Sequence, residues 1–242
     1  MIILGIDSSG TTASAAVLCD GKVCSDISSD TTFTHSKTLL PMVDMAIKAA
    51  NIDKKDIDLI AISKGPGSFT GLRIGAGVAK GLAIALKKDI VPVPTLEVLA
   101  NRIPFANGIV CPIMNARRNQ VYTAAYEPDF QNFGDSRYTN MKMVLPMEAM
   151  GIEELFEKLL PLGKPVVFTG DGVQEFETAI REGYKGEYAF APAYMVKQSA
   201  AVVAVLGEKY SNEGMAVSPE NFDLLYLRKS QAEREKEAKG AL

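Results

Sequence analysis

The chain has 242 residues, of which 47 % are hydrophobic and 23 % are charged, and its formal net charge is -3 at pH 7. This composition is typical of a globular protein with a packed core, and it excludes a disordered or fibrous chain. It also argues against a protein that grips nucleic acid alone, because such binding depends on a basic surface.

The cysteines and the apolar segments bear on the compartment. Cys19, Cys24 and Cys111 lack CxxC spacing, which favours reduced, structural thiols. The opening MIILGIDSSG has no basic stretch before its apolar run, so it is not a signal peptide. No window approaches the apolar length of a membrane span. We therefore expect a cytoplasmic protein with no membrane contact.

The first part of the chain predicts the element order β-β-β-α-β-α-β-α. The Asp20-Gly21 pair predicts a hairpin turn between the second and third strands, and Thr95 is the expected N-cap of the last helix. The predicted strands cover 3–7, 12–18, 22–28, 57–63 and 90–93, and the predicted helices cover 36–51, 71–87 and 95–102.

The second part repeats this order with weaker signals. Its predicted strands cover 109–114, 120–126, 137–145, 165–170 and 189–192, and its predicted helices cover 153–160, 173–180 and 196–210. The repeat predicts an α/β fold of two duplicated lobes, 1–104 and 105–242, with mixed sheets flanked by helices around a cleft. The charged stretch 230–242 has no apolar stripe and is expected to be a solvated tail.

Two turns facing such a cleft form a candidate nucleotide site. Hydroxyl, carboxylate and backbone N–H groups at a turn can hold phosphate or a magnesium-bound water. The candidate residues are Asp7, Ser9, Thr11 and Thr12 after the first strand, with Gly170 and Gly172 opposite. The alternative is that these side chains satisfy their own turns.

Several enzyme classes lack their residues. The loop GPGS at 65–68 has no lysine of a Walker A motif, and the residues around Ser68 do not match GxSxG. His35 is the single histidine, so an HExxH metal site is excluded. A hydrolase triad would have to use His35, which just before a helix is more often a solvated or capping residue.

The glycine-rich helix predicts a protein interface. Gly71, Gly75, Gly77 and Gly81 each weaken a helix, which close packing must offset. This helix and the first helix carry more apolar surface than one sheet can bury, with Leu40, Met42 and Ile47 expected on the flanking surface. The alternative is that the second lobe or the helix near Val202 covers them.

Five segments carry a family resemblance: ILGIDSSG, HSKTLLPMVD, GPGSFTGLRIG, NARRNQVY and LLYLR. They resemble the TsaB (YeaZ-like) family, the accessory subunits of bacterial tRNA threonylcarbamoyladenosine (t6A) synthesis, in the glycoprotease-like branch of the actin/Hsp70 (ASKHA) superfamily. The resemblance implies a two-lobed actin-like fold and a non-catalytic scaffold. That scaffold binds the catalytic subunit TsaD, which modifies N6 of adenosine 37 in tRNAs reading ANN codons.

The resemblance also implies partners and a binding surface. The P-loop ATPase TsaE joins the complex, tRNA is reached indirectly, and the isolated chain forms a homodimer. The implied partner-binding residues lie on the first two long helices: Leu39, Leu40, Met42, Val43, Ala46, Ile47, Ala50, Gly71, Ile74, Gly75, Val78 and Leu82.

No metal and no obligatory cofactor are implied. Thr95 and Leu99 stand where TsaD-like proteins have two metal-binding histidines. ATP or ADP with Mg, weakly bound at the cleft or the partner interface, stays open. The alternative function is an ATP-dependent small-molecule kinase or ATPase that uses Asp7. Arg117 and Arg118 are either a tRNA contact or an ordinary surface turn.

Overall fold

The computed structural model describes residues 1–30, 34–129 and 140–228. The first sheet and its helices comprise β1 (Ile2–Asp7), β2 (Ala13–Cys19), β3 (Lys22–Ser29), α1 (His35–Ala49), β4 (Leu59–Gly65), α2 (Phe69–Leu86), β5 (Ile90–Pro94) and α3 (Thr95–Ala100). The later elements are β6 (Ile109–Asn115), β7 (Gln120–Asp129), β8 (Asn140–Gly151), α4 (Ile152–Leu159), β9 (Val166–Thr169), α5 (Val173–Gly183), β10 (Tyr188–Phe190) and α6 (Ala200–Asn212).

The two sheets have the same topology. The first has the strand order β3-β2-β1-β4-β5 and the second has β8-β7-β6-β9-β10. Strands joined by hairpins pair antiparallel, whereas β1 with β4 and β6 with β9 pair parallel across a helical connection. The predicted α/β fold of two duplicated lobes with mixed sheets is therefore confirmed. Residues 137–139 of one predicted strand and the predicted tail lie outside the described residues.

Two helices tie the lobes together. Helix α3 lies between the sheets, because Leu96 and Leu99 pack on β6 and β7 while Val98 packs with the first sheet. Helix α6 buries Val203 and Leu206 against β1, β4 and β5. The predicted division at 104/105 thus separates the two sheets but not their helices, since α6 belongs to the core of the first lobe.

A buried acid joins these two helices. Glu97 of α3 is 9 % exposed and accepts a hydrogen bond from the hydroxyl group of Tyr210 on α6. Burial raises the pKa of Glu97, and the Tyr210 hydrogen bond opposes part of this rise. The hydroxyl oxygen of Tyr126, whose own pKa is raised by burial and by the charge of Glu97, has no hydrogen-bond partner among the described residues.

Helix α2 packs against the turn between β1 and β2. A Cβ atom on Gly71 would lie 2.1 Å from the carbonyl oxygen of Ser8, and one on Gly75 would lie 2.3 Å from Ser8 Oγ. The Ser8 hydroxyl donates to the Gly71 carbonyl at 2.9 Å. On the other side of the helix, Cβ atoms on Gly77 and Gly81 would meet nothing within 4 Å. Close approach therefore explains the first two glycines only.

Helix α1 is buried more deeply than its sequence predicts. Met42 and Ile47 were expected on the flanking surface, but they are 5 % and 3 % exposed. The reason is that β3 extends the sheet beneath the helix, where the Ser25 hydroxyl donates to the Ala46 carbonyl at 2.7 Å. Leu40 and Met45 are the large apolar side chains of α1 that stay exposed.

Two further expectations were wrong. Helix α2 is long and apolar enough to cross a membrane by length and composition, although a third of it is buried in the fold. It packs on its own sheet, as core helices that meet the same criterion do. Thr95 is the first residue of α3 rather than its N-cap, because Pro94 ends β5 and occupies the capping position.

Gly71→Ala should lower the free energy of unfolding by about 1–3 kcal/mol, because its Cβ would overlap backbone at Ser8. Gly77→Ala is the matched control on the same helix. It should raise the free energy of unfolding by about 1 kcal/mol, since alanine favours helix and the site is open. Urea denaturation measures both. Equal effects of the two changes would contradict this packing.

Glu97→Gln should stabilise the protein increasingly as pH rises. The folded state holds the Glu97 proton to higher pH than the unfolded state, whose pKa is near 4.5, so stability from this group falls as pH rises above that value. Glutamine keeps an acceptor for Tyr210 and removes the buried charge. The gain over wild type should be smallest near pH 4 and rise by no more than about 1.4 kcal/mol per pH unit. Parallel stability curves from pH 4 to pH 8 would contradict this account.

Candidate functional site

A cleft of about 1300 Å³ lies between the two lobes. Its walls are the β1–β2 turn, the loop before α2, the β6–β7 hairpin, the β9–α5 turn and Arg228 near the end of the described chain. Most of these segments are connections at the ends of strands, where open α/β sheets bind their ligands. The cleft is therefore the first place to look for a binding site.

Asp7 is turned into its own lobe. The side chain is fully buried, and its Oδ1 accepts from the backbone N–H of Ser9 at 2.8 Å and from Ser9 Oγ at 2.7 Å. Its Oδ2 accepts from the Ser63 hydroxyl. Burial raises the pKa of Asp7, the serine hydrogen bonds oppose this, and the nearby Asp171 adds to the rise. Both carboxylate oxygens are thus engaged by the turn itself.

The buried part of the cleft, its floor, is formed at Asp171, and Gln198 and Thr12 are buried residues that do not line the cleft. Asp171 lines the cleft, and its Oδ2 accepts from the Gln198 amide at 3.4 Å. Asp171 Oδ1, Gln198 Oε1 and Thr12 Oγ1 are buried and have no hydrogen-bond partner among the described residues. Burial raises the pKa of Asp171, which is partly opposed by the Gln198 hydrogen bond and by the backbone N–H groups of Thr11 and of Asp171 itself.

The structure brings together only some of the residues predicted to bind nucleotide. Ser9 and Thr11 line the cleft beside Asp171. Thr12 is 3 % exposed, and the two glycines serve the β9–α5 turn. Gly170 has a φ of +100°, and the backbone N–H of Gly172 donates to the Ile113 carbonyl at 3.0 Å. The left-handed conformation of Gly170 shapes the turn, and the Gly172 hydrogen bond holds it against β6.

The exposed part of the cleft, its rim, is basic and partly aromatic. Phe69 stacks on Tyr226 with ring centroids 4.3 Å apart, and the guanidinium carbon of Arg73 lies 4.2 Å from the Phe69 centroid. Arg73 Nε also donates to the Tyr226 hydroxyl at 3.3 Å. The sequence reasoning gave these residues no role. The only available signal was that two of the family segments, GPGSFTGLRIG and LLYLR, contain them.

Arg117 and Arg118 lie on the rim at the β6–β7 hairpin. Both are exposed and have positive φ values, 65° and 56°. The Asn115 side chain accepts from the Arg117 backbone N–H at 2.7 Å, and Arg228 donates to the carbonyls of Ala116 and Arg117. The hairpin that carries the two arginines is therefore braced at its base.

The residues predicted to bind a partner divide into two groups. Leu39, Met42, Val43, Ala46 and Ile47 are buried in the core of the first lobe, and Gly71 and Gly75 are buried against the β1–β2 turn. Leu40 is 53 % exposed, and Ala50, Ile74, Val78 and Leu82 are partly buried. Only the second group is open to a partner.

We call Ile74, Gly77, Val78, Gly81 and Ile84 the outward face of α2. Their spacing of three and four residues places them on one side of the helix, and Ile84 is 61 % exposed. Helix α6 does not cover this face, because α1 and α2 pack on one side of the first sheet and α6 packs on the other. The outward face consists of glycines and apolar side chains, and an exposed apolar surface is typical of a docking site.

His35, Thr95 and Leu99 have structural positions. His35 Nε2 donates to the Gly10 carbonyl at 2.9 Å, which ties the start of α1 to the β1–β2 turn. Thr95 and Leu99 are fully buried in α3, on either side of Glu97. In the described residues, no group of three or more His, Cys, Asp or Glu side chains is placed to hold a metal ion.

Comparison with known proteins identifies the family. The family model described as tRNA N6-adenosine threonylcarbamoyltransferase matches residues 29–236. The chain is 32 % identical over 238 residues to the tRNA threonylcarbamoyladenosine biosynthesis protein TsaB of Bacillus subtilis, with 96 % of each chain covered. It is 29 % identical to the Escherichia coli protein of the same name, again with 96 % of each covered.

The fold agrees with this relationship. A Pseudomonas aeruginosa structure described as similar to peptidase YeaZ superposes with a TM-score of 0.78 at 24 % identity, covering 94 % of this chain and 99 % of that one. The YeaZ structure from the same organism gives a TM-score of 0.73 at 24 % identity, with coverage of 93 % and 99 %. The chain belongs to the TsaB family of tRNA threonylcarbamoyladenosine biosynthesis proteins.

Proposed function

We propose that the chain is a non-catalytic scaffold that docks a TsaD-type catalytic subunit through the outward face of α2. The observation that carries the proposal is the division of the α2 glycines into two opposite faces. Gly71 and Gly75 close the helix onto its own lobe, whereas Gly77 and Gly81 leave open backbone beside exposed Ile84. An apolar surface with small residues lets a second helix approach closely.

The docked complex carries out N6-threonylcarbamoylation of adenosine 37 in tRNAs that read ANN codons. In this proposal TsaD supplies the chemistry, a TsaE-type ATPase joins the complex, and the protein acts in the cytoplasm. Without TsaD, two copies of the chain pair through the same face as an isologous homodimer. Support comes from the relatives, whose names place them in the biosynthesis of threonylcarbamoyladenosine.

The cleft supports an ATP-dependent kinase or ATPase less well. Asp7, the acid proposed for that chemistry, has both oxygens engaged by serine groups of its own lobe. Asp171 is left as the acid with a free oxygen on the floor. The scaffold proposal requires no cofactor in this cleft, and it makes bound ATP or ADP with Mg incidental to docking.

Omission of the chain tests the scaffold role. Unmodified ANN-decoding tRNA is incubated with threonylcarbamoyl adenylate, TsaD and TsaE, with and without this chain, and t6A is quantified. We expect product only when the chain is present and none from the chain alone. Equal product in its absence would reject the role.

Gly77→Arg should weaken binding to TsaD about tenfold or more without unfolding the chain. The arginine places a large charged group on an apolar contact, while it improves the local helix propensity by about 1 kcal/mol. Thr178→Arg on the exposed side of α5 is the matched control. Titration calorimetry with circular dichroism of each variant provides the measurement. Unchanged affinity of a folded Gly77→Arg protein would move the interface elsewhere.

A further inference from the structure

The distribution of charge in the cleft differs between its floor and its rim. The floor holds Asp171, whose nearby charge adds to the raised pKa of the buried Asp7. The rim holds Arg73, Arg117 and Arg118, all exposed, beside Arg228, and its arginines outnumber the one exposed acid there, Glu175. Phosphate groups would be repelled by the floor and attracted by the rim. A ligand that fits both must carry its phosphates at the mouth.

A ligand that reaches the floor must provide hydrogen-bond donors. Asp171 lines the cleft, its Oδ1 has no hydrogen-bond partner among the described residues, and Gln198 holds its Oδ2 from behind. Gln198 itself is 2 % exposed and packs against Gly10, so its position is fixed. Ribose hydroxyls and the exocyclic amines of nucleobases are donors of the required kind.

The β6–β7 hairpin carries Arg117 and Arg118 on the rim. Within the described part of the chain, the guanidinium groups of Arg117 and Arg118 make no ion pair or hydrogen bond. Their hairpin is held in the left-handed region by the Asn115 and Arg228 contacts described above. Strained backbone that is braced in this way is frequent where side chains must be displayed to a ligand.

An aromatic pair lies on the first-lobe side of the cleft, where Phe69 is part of the lining and Tyr226 stacks on it. Tyr226 is 39 % exposed, and its ring is stacked on Phe69 beneath the Arg73 guanidinium group. Aromatic rings and arginine planes are the side chains on which unpaired bases stack. The cleft thus combines two cations, a stacking surface and a buried acceptor within about 1300 Å³.

We propose that this cleft binds a single-stranded segment of the tRNA substrate directly. The phosphodiester backbone lies along Arg117 and Arg118, and a ribose or base of the segment donates to Asp171. This inference rests on the proposed function and adds to it a contact between this chain and the RNA. The formal net charge of -3 explains why the contact requires a partner subunit to contribute to affinity.

A strand fits better than a free nucleotide. A nucleotide bound as in a phosphate-binding loop would place its phosphates on the β1–β2 turn, beside Asp7 and near Asp171 of the facing β9–α5 turn. A strand places a succession of phosphates at the mouth, where the arginines are. It also makes use of a cleft that is larger than one nucleotide requires.

The test measures binding of a fluorescent ANN-decoding tRNA to the complex of the chain with TsaD, by anisotropy between 50 and 200 mM salt. Arg117→Glu/Arg118→Glu should weaken binding about tenfold and reduce the slope of log K against log salt by about 1.4, or about 0.7 for each lost contact. Lys22→Glu/Lys185→Glu makes the same charge change outside the cleft and should leave both quantities near wild type. Arg117→Lys/Arg118→Lys should keep most of the salt slope.

The outcomes separate this inference from the proposed function. If the wild-type chain does not bind TsaD, both are overturned. Suppose that the complex forms and binds tRNA, but Arg117→Glu/Arg118→Glu has the same affinity and salt slope as Lys22→Glu/Lys185→Glu. Only the cleft contact is then overturned. Size-exclusion chromatography must show that the arginine variant still assembles with TsaD, since the hairpin lies outside the outward face of α2.

Two further readouts locate the contact. A 4-thiouridine-substituted anticodon stem-loop should crosslink to peptides containing residues 115–119, and crosslinks confined to TsaD would overturn the proposal. The DNA version of the same stem-loop should bind more weakly than the RNA, because it lacks the 2′-hydroxyl donors that Asp171 on the floor would meet. Equal binding of DNA and RNA would overturn the assignment of the floor.

Discussion

The packing of α3 between the two lobes, supported by α6 on the first sheet, is the constraint on which the rest of the molecule depends. Helix α3 lies between the sheets, and α6, which follows the second sheet in sequence, covers the first. The hydrogen bond from Tyr210 to Glu97 joins the two helices in a buried environment. Because α3 contacts both sheets and α6 holds α3 from the first lobe, this packing joins the two walls of the candidate RNA site.

The two faces of helix α2 have different roles. Its inward face closes on the β1–β2 turn through Gly71 and Gly75, which leaves Asp7 sealed among serine groups. Its outward face keeps small and apolar residues on the surface. One side of this helix therefore closes the turn that the kinase alternative would need open. The other side keeps exposed the surface that a scaffold needs. This arrangement is consistent with a family member that assists chemistry on another subunit.

Sequence alone was sufficient for the order of elements and for the duplication. Apolar periodicity and turn pairs such as Asp20-Gly21 are local signals, and they were enough to predict two mixed sheets, although not the order of the strands within each sheet. The site of helix packing could not be predicted in this way, because an apolar helix such as α6 suits either sheet. Met42 and Ile47 were misplaced for a related reason, since the width of the sheet beneath α1 depends on β3. Gln198 and Arg228 were missed because single polar residues carry no periodic signal until the fold brings Arg228 to the cleft and Gln198 behind it.

A photo-crosslinking residue in place of Ile84 tests the central claim most directly, with the same residue in place of Thr178 as the reference. Ile84 is the most exposed large side chain of the outward face, and Thr178 is exposed on α5 in the other lobe. With TsaD present, the account predicts an efficient crosslink to TsaD from position 84 and little from position 178. Crosslinking from position 178 with none from position 84 would contradict it.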